Sequence, residues 1–381
     1  IGTSEGLVSY IFEPDAVNDP LKGEGTMDES MGQMYRWRAH NAFSEVDEVE
    51  MLGDTVYGLS SHSLFMVDKR SSEVKTLSPL DGLSASNVNH ISYNANLNSL
   101  LITYQNGQMD IITSDGATHN ISDLYLKQMS GSKEVNDIYM QGEKAYLGMD
   151  FGIMVINMRK FEIESTYYIG DESSDVAVTH LALSKSRIYA LTTDALYYAN
   201  LSDNLMDYTY WHQRSIPKGE QGGIEAYNGQ VYGVFNRFLY RLADSFWTRI
   251  DLSTRSRSLC KTGDELYILP YGQGVCRLYK NEEVKLQWPD KVYSAILKDG
   301  NNYWLGTEEE GLVHKIGATQ AIEMYRPDGP ISNYSYKLRF AGDKLYMLAG
   351  GRWANQNNTP GDIMIMENGM WRNISSQHME K

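Results

Sequence analysis

A chain of 381 residues with 42% hydrophobic and 11% aromatic content has ample material for a core, yet it carries a formal charge of −15 at pH 7. That balance argues against nucleic acid, whose binding draws on a Lys/Arg-rich surface, and against broad attraction to an anionic membrane or glycolipid surface. No stretch approaches the roughly 18 uninterrupted apolar residues of a membrane-spanning helix.

In chain order, residues 1–13 read as half of a repeat unit, because IGTSEGL matches LGTEEEGL at 305–312. A broken copy at residue 1 leads us to expect that the chain is cut from a longer protein. Residues 14–34 (PDAVNDPLKGEGTMDESMGQM) are acidic, contain two prolines and read as a polar linker. The regular units begin near Trp37. Each opens with a short strand such as VNHISY, VNDIYM, VTHLAL or YSAILK, followed by a Gly/Asp/Asn turn of hairpin type. A second apolar strand carries an aromatic or Leu anchor: Tyr57, Leu101, Tyr146, Tyr189, Tyr232, Tyr267, Trp304 and Tyr346, spaced 35 to 45 residues apart. A second turn, a third strand and a less regular outer strand complete the unit.

A period of about 40–45 residues filled with short strands marks propeller blades. The predicted fold is therefore all-β, a β-propeller of four-stranded antiparallel blades. Eight units are countable, and a seven-bladed ring plus one unit of a following domain fits the spacing as well as eight blades do; we prefer seven. The expected organisation is a partial strand pair with linker over 1–34 and the propeller over 35–381. Second strands apolar on both faces agree with blades stacked face to face.

Signatures of catalysis are missing: there is no nucleophile elbow, phosphate loop or HExxH. Ser114-Asp115-Gly116 lacks the spacing and Trp of a sialidase-type turn, and the acidic run from Asp299 to Glu310 has the wrong order for a calcium loop. No cofactor and no metal site are expected. Cys260 and Cys276 fall on the first and third strands of one unit, about 9.5 Å apart, too far for a disulfide. His90 and His180 occupy equivalent first-strand positions with Asn136-Asp137 between them, which places them along a channel or at a seam between blades. Most tyrosines are anchors and belong to the core. Two features are candidates for ligand or partner contact. One is the loop holding Arg352, Trp353 and Asn355, which combines a guanidinium, an indole and amides. The other is the basic run Arg237, Arg241, Arg249, Arg255, Arg257 and Lys261, opposed in its own window only by Asp244 and Asp251.

The segments IGTSEGL and WLGTEEEGL resemble two-component regulator propeller repeats. A longer likeness runs through SLFMVDKRSSEVKTLSPLDGLS, ISYNANLNSLLITYQNGQMDII, VNDIYMQGEKAYLGMDFGIMVINMRKFEIESTYYIG and the stretch from Arg326 to Ser375. In that order they resemble the PorZ-like β-propeller proteins of the Bacteroidetes type IX secretion system. The resemblance implies a non-enzymatic scaffold at the outer membrane surface, one propeller of a larger protein. Its partners would be a sortase and other outer-membrane components that anchor cargo to anionic lipopolysaccharide. The alternative reading is a periplasmic propeller of a hybrid two-component system that senses a glycan breakdown product; a propeller lyase or hydrolase is a weaker third.

Overall fold

Each repeat folds into a meander because its strands are short and its first turn is tight. Gly53 and Gly300 take φ of 63° and 60° in these turns, a left-handed conformation that costs a Cβ-bearing residue energy. The computed structural model describes residues 2–3, 6–12, 35–243, 246–252, 254–317, 322–350 and 361–375. Among these residues there are eight four-stranded antiparallel sheets, one three-stranded sheet and a single short α-helix, Asp123–Leu126. No helix of the described residues is long and apolar enough to cross a membrane.

The chain divides into two compact units, 45–325 and the combination of 1–44 with 326–381. These boundaries differ from the single propeller expected over 35–381. Within 45–325 lie seven sheets, numbered here as blades 1 to 7: 48–77, 88–121, 135–167, 180–215, 221–250, 256–288 and 293–325. The first strand of every blade packs against the first strands of its two neighbours, and that of blade 7 packs against that of blade 1. The closing seam is hydrogen-bonded: Val46 N donates to the Thr307 carbonyl at 2.9 Å, and the Ser294 hydroxyl donates to the Val46 carbonyl. The seven sheets of this unit thus close on themselves, and the eighth repeat folds in the other unit.

Stacked blades bury both faces of their inner strands. All six residues of Ser99–Tyr104 and of Glu265–Pro270 are buried, as the doubly apolar second strands require. The seven ring anchors from Tyr57 to Trp304 are each at most 8% exposed. Each is a core residue whose burial stabilises the fold by about 1.5–3 kcal/mol. Between blades 2 and 3, Leu101, Ile111, Leu147 and Ile156 form one continuous cluster, and comparable clusters fill other seams. Trp211, in the irregular stretch after the short turn Tyr208–Tyr210, is also core: it is 7% exposed and its Nε1 donates to the Leu205 carbonyl at 3.0 Å.

Two buried carboxylates organise polar contacts inside this apolar frame. Asp110 accepts from Ser84 N (2.8 Å), Ser84 Oγ (2.6 Å), Tyr104 Oη (2.6 Å) and Asn120 Nδ2 (2.9 Å), tying the entry loop of blade 2 to three of its strands. Glu265 in blade 6 accepts from Tyr267 Oη (2.7 Å) and, across the seam to blade 7, from Lys298 Nζ (2.6 Å) and Tyr303 Oη (3.1 Å). Arg277 lies 2.9 Å from the same carboxylate. Cys260 and Cys276 sit on the first and third strands of blade 6, with Glu265–Pro270 between them, and both are free thiols.

The other unit contains a sheet of Gly2–Thr3, Gly6–Phe12 and Tyr35–His40, and the four-stranded sheet spanning 337–374. Leu345, Met347, Met364 and Trp371 form its core, and Trp371 Nε1 donates to His40 Nδ1 at 3.1 Å. Its anchor, Tyr346, is only half-buried, unlike the seven in the ring.

Candidate functional site

The first strand of each blade has one unpaired edge, and an unpaired edge leaves backbone groups that need partners. At four junctions of this ring the preceding blade supplies one from a single repeat position. Asn89 donates to the Val135 carbonyl, Asn136 to that of Val178 at 3.0 Å, Arg257 to that of Tyr293 at 2.6 Å, and Ser294 to that of Val46. Each stands three residues ahead of the residue opposite its blade's anchor. At Gly222, the same position in blade 5, there is no room for a side chain: a Cβ would collide with the Arg257 carbonyl oxygen.

One residue further along, a second level runs Glu48, His90, Asp137 and His180. Glu48 pairs with His90 Nδ1 through one oxygen and accepts the Ile91 N–H at 2.8 Å through the other. Asp137 accepts the N–H groups of Leu181 at 2.6 Å and Ile138 at 2.9 Å. Burial opposes a charge on His90, but the Glu48 carboxylate, its hydrogen bond and the nearby Asp137 outweigh it and push the imidazole up to about 9. Burial raises Asp137 above the usual carboxylate range, against the opposing pull of His180 and the Leu181 N–H. The histidines do line up with Asp137 between them, at the seams between blades, as their repeat equivalence predicted.

A third level faces the anchors directly: Glu50, Ser92, Tyr139, Glu225 and Cys260. Of these, Glu50, Ser92, Tyr139 and Glu225 line a mostly polar cavity of ≈ 360 Å³, bordered also by Asn94, Asn96, Gly142 and Gly263. The last two belong to first hairpin turns, so the cavity lies at the end of the ring where those turns gather. Lys261 of blade 6 enters it and donates to Tyr139 Oη of blade 3 at 3.0 Å, with its ammonium 5.3 Å from the Tyr139 ring centroid and 3.9 Å from Glu225 Oε2 of blade 5. Tyr139 in turn donates to the Leu183 carbonyl at 3.1 Å. Burial drives the carboxyls of Glu50 and Glu225 up to about 8; the Tyr93 N–H partly offsets this for Glu50, and Lys261 does so for Glu225. Glu225 Oε2 is sealed from water and has no hydrogen-bond partner.

The basic run does not stay together. Lys261 is in the cavity just described, whereas Arg237, Arg241 and Arg257 meet carboxylates supplied by other segments. Arg237 bonds Glu220 at 3.2 Å and lies over the Tyr271 ring, Arg241 pairs with Glu282, and Arg257 pairs with Glu308. Arg249 pairs with Asp251 at 3.2 Å and covers Phe238; Arg255 is exposed. The carboxylates Glu220, Glu282 and Glu308 lie outside the sequence window that made the run look unbalanced. Arg352, Trp353 and Asn355 lie outside the described residues. Sequence reasoning passed over Glu48, Glu50 and Glu225. The signal was present: aligning first strands on their anchors puts acids at two adjacent levels of strands that otherwise bury apolar faces.

Residues 56–212 match the family of PorZ N-terminal β-propeller domains of the type IX secretion system. The likeness to PorZ expected from the sequence is thereby borne out. Among solved structures, the chain is similar to PorZ of Porphyromonas gingivalis, described as an essential bacterial surface component of the type IX secretion system. Identity is 23%, the match covers 89% of this chain and 46% of that one, and the TM-score is 0.75. The chain therefore spans about half the length of that structure. It is also similar in fold to the β-propeller domain of Cps50 (Swd1) from Myceliophteria thermophila, at 11% identity, 72% and 97% coverage and a TM-score of 0.52. YCF48 bound to D1 peptide matches at 10% identity, 74% and 94% coverage and a TM-score of 0.54. No curated protein matches the chain.

Proposed function

We propose that this chain, PorZ-like over residues 56–212, is a non-enzymatic propeller domain of a type IX secretion component, exported to the outer membrane surface. There it serves as a scaffold for a sortase-containing attachment complex that links cargo to anionic lipopolysaccharide. The family match over the first four blades is the observation that carries this reading. The polar interior supports it: the buried acids Asp110 and Glu265 spend their hydrogen-bonding capacity on neighbouring strands and seams, as a rigid frame requires. Fold alone would not license the assignment, since propellers host many functions.

The test is affinity capture of the full-length protein from its native outer membrane. Recovery of a sortase with it is the expected result. Fractionation with the inner membrane and capture of no sortase would refute the scaffold reading. Replacing Arg237, Arg241, Arg249, Arg255 and Arg257 singly by Ala asks whether these basic side chains contribute to that capture, with Arg257 also a member of the seam between blades 6 and 7. Arg352, Trp353 and Asn355 are to be replaced in the same series.

A further inference from the structure

The cavity at the level of the anchors already contains a bound cation, and that cation belongs to the protein. The Lys261 ammonium reaches from blade 6 to a seat made by blades 3 and 5, on the Tyr139 hydroxyl at 3.0 Å, the Tyr139 ring at 5.3 Å and Glu225 at 3.9 Å. A hydroxyl, an aromatic face and a carboxylate are the components of an ammonium site. Yet this single cation stands among three acids, since Glu50 also borders the cavity and Asp137 lies within electrostatic reach of Glu225. It leaves Glu225 Oε2 without a hydrogen bond. A buried carboxylate oxygen with no donor is costly, by an amount that an added N–H group would recover.

We propose that this cavity is a binding site for a small organic cation, an alkylammonium that donates to Glu225 and Glu50 beside Lys261. Its volume of ≈ 360 Å³ admits a short diamine. Ile138, Met140 and Tyr93 give apolar surface for the methylenes, and Ser92, Asn94 and Asn96 border it with polar groups. A metal ion is the poorer occupant, because no group of three or more His, Cys, Asp or Glu among the described residues is arranged to hold one. The net charge of −15 draws cations towards such a cleft.

Proton release accompanies the binding. Glu225 faces Lys261, Asp137 and the Ala226 N–H, and Glu50 faces Glu48 and the Tyr93 N–H. Burial raises both carboxyls, and an arriving ammonium favours their charged forms, so its binding expels protons.

The experiment is isothermal titration of the full-length protein with putrescine at pH 7.5 in two buffers of different ionisation enthalpy, with 1,4-butanediol as the neutral isostere. Saturable binding of putrescine, heats that differ between buffers and no binding of the diol are expected. Glu225→Gln and Glu50→Gln should each weaken binding at least tenfold. Lys261→Met removes the built-in competitor and should tighten binding about tenfold, a direction that loss of folding could not produce. The proposal is overturned if neither the wild type nor Lys261→Met binds putrescine, if the diol binds equally, or if Glu225→Gln binds unchanged. Should Lys261→Met fail to fold, the two Glu→Gln variants and the diol still decide the matter.

Discussion

Glu265→Gln tests whether the seam between blades 6 and 7 depends on one buried carboxylate. The wild-type side chain is 5% exposed and has four partners: Lys298 Nζ at 2.6 Å, Tyr267 Oη at 2.7 Å, Arg277 at 2.9 Å and Tyr303 Oη at 3.1 Å. Gln matches it in shape but puts an NH2 against donors and removes the charge facing two cations. Breaking a buried pair by deleting one member costs about 3–5 kcal/mol. Lys298 and Arg277 are 30% and 25% exposed and can turn partly to water, so the lower end, about 3 kcal/mol, is expected. At roughly 2–4 °C per kcal/mol for a domain of this size, the midpoint of thermal unfolding falls by about 6–12 °C. Urea titration followed by tryptophan emission reads the same loss, and Trp288 and Trp304 report from blades 6 and 7.

The pH dependence supplies an internal control. Burial favours the neutral acid, but Lys298, Tyr267 and Arg277 together hold Glu265 below the usual carboxylate range. A depressed folded-state value means that the stabilisation is present above pH 4.5 and is lost as pH falls through the folded value. The gap between wild type and Glu265→Gln must therefore close in acid. A cost below about 1 kcal/mol at pH 7, or a gap that persists unchanged at pH 3, would refute the reasoning. Lys298→Met should cost less, because Arg277 stays beside the carboxylate.

Three further outcomes are expected. Asp110→Asn sets an amide against the Ser84, Tyr104 and Asn120 donors and should destabilise by about 3 kcal/mol in urea unfolding, with Asp110→Ala worse by the cavity it leaves. Gly222→Ala should shift the midpoint by a comparable amount, because its Cβ strikes the Arg257 carbonyl oxygen and lies 2.8 Å from Val234 Cγ1; a neutral result would mean that blades 5 and 6 are not packed as described. Stability should also decline from about pH 5 to 9. Above pH 4.5 the unfolded chain releases protons that Glu50 and Glu225 keep until about 8, and His90 stays protonated in the fold to about 9 against 6.5 unfolded. Each group contributes at most about 1.4 kcal/mol per pH unit within its window. Glu225→Gln should flatten the slope below pH 8 and His90→Gln the slope above 6.5; a profile of unfolding midpoints unmoved by both would contradict these assignments.

Much of the frame was legible because a repeat displays its core many times over. The anchors from Tyr57 to Trp304, the Gly-Asp turns and the strand order of the blades were read from period and polarity, and the buried tyrosines were assigned to architecture. The His90, Asp137 and His180 alignment was legible for the same reason, since equal repeat positions lie at equal heights in stacked blades. The candidate site was not. Lys261 looked like a member of a basic run, but neighbouring residues on a strand face opposite sides, and its partners Tyr139 and Glu225 are 122 and 36 positions away. The run looked under-opposed because Glu220, Glu282 and Glu308 reach Arg237, Arg241 and Arg257 from other turns.

The sequence by itself determined the period, the four-stranded unit, the separation of Cys260 from Cys276 and the likeness to PorZ. These follow from local preferences: turn residues, alternation and anchor spacing act within a few residues of chain. Only the tertiary structure decided where the ring closes, since Val46 meets Thr307 and Ser294 across some 250 residues and no local signal marks that meeting. It also decided which charges neutralise one another and which converge on a cavity. Those outcomes depend on the angle between blades, a property of packed sheets that no single repeat encodes.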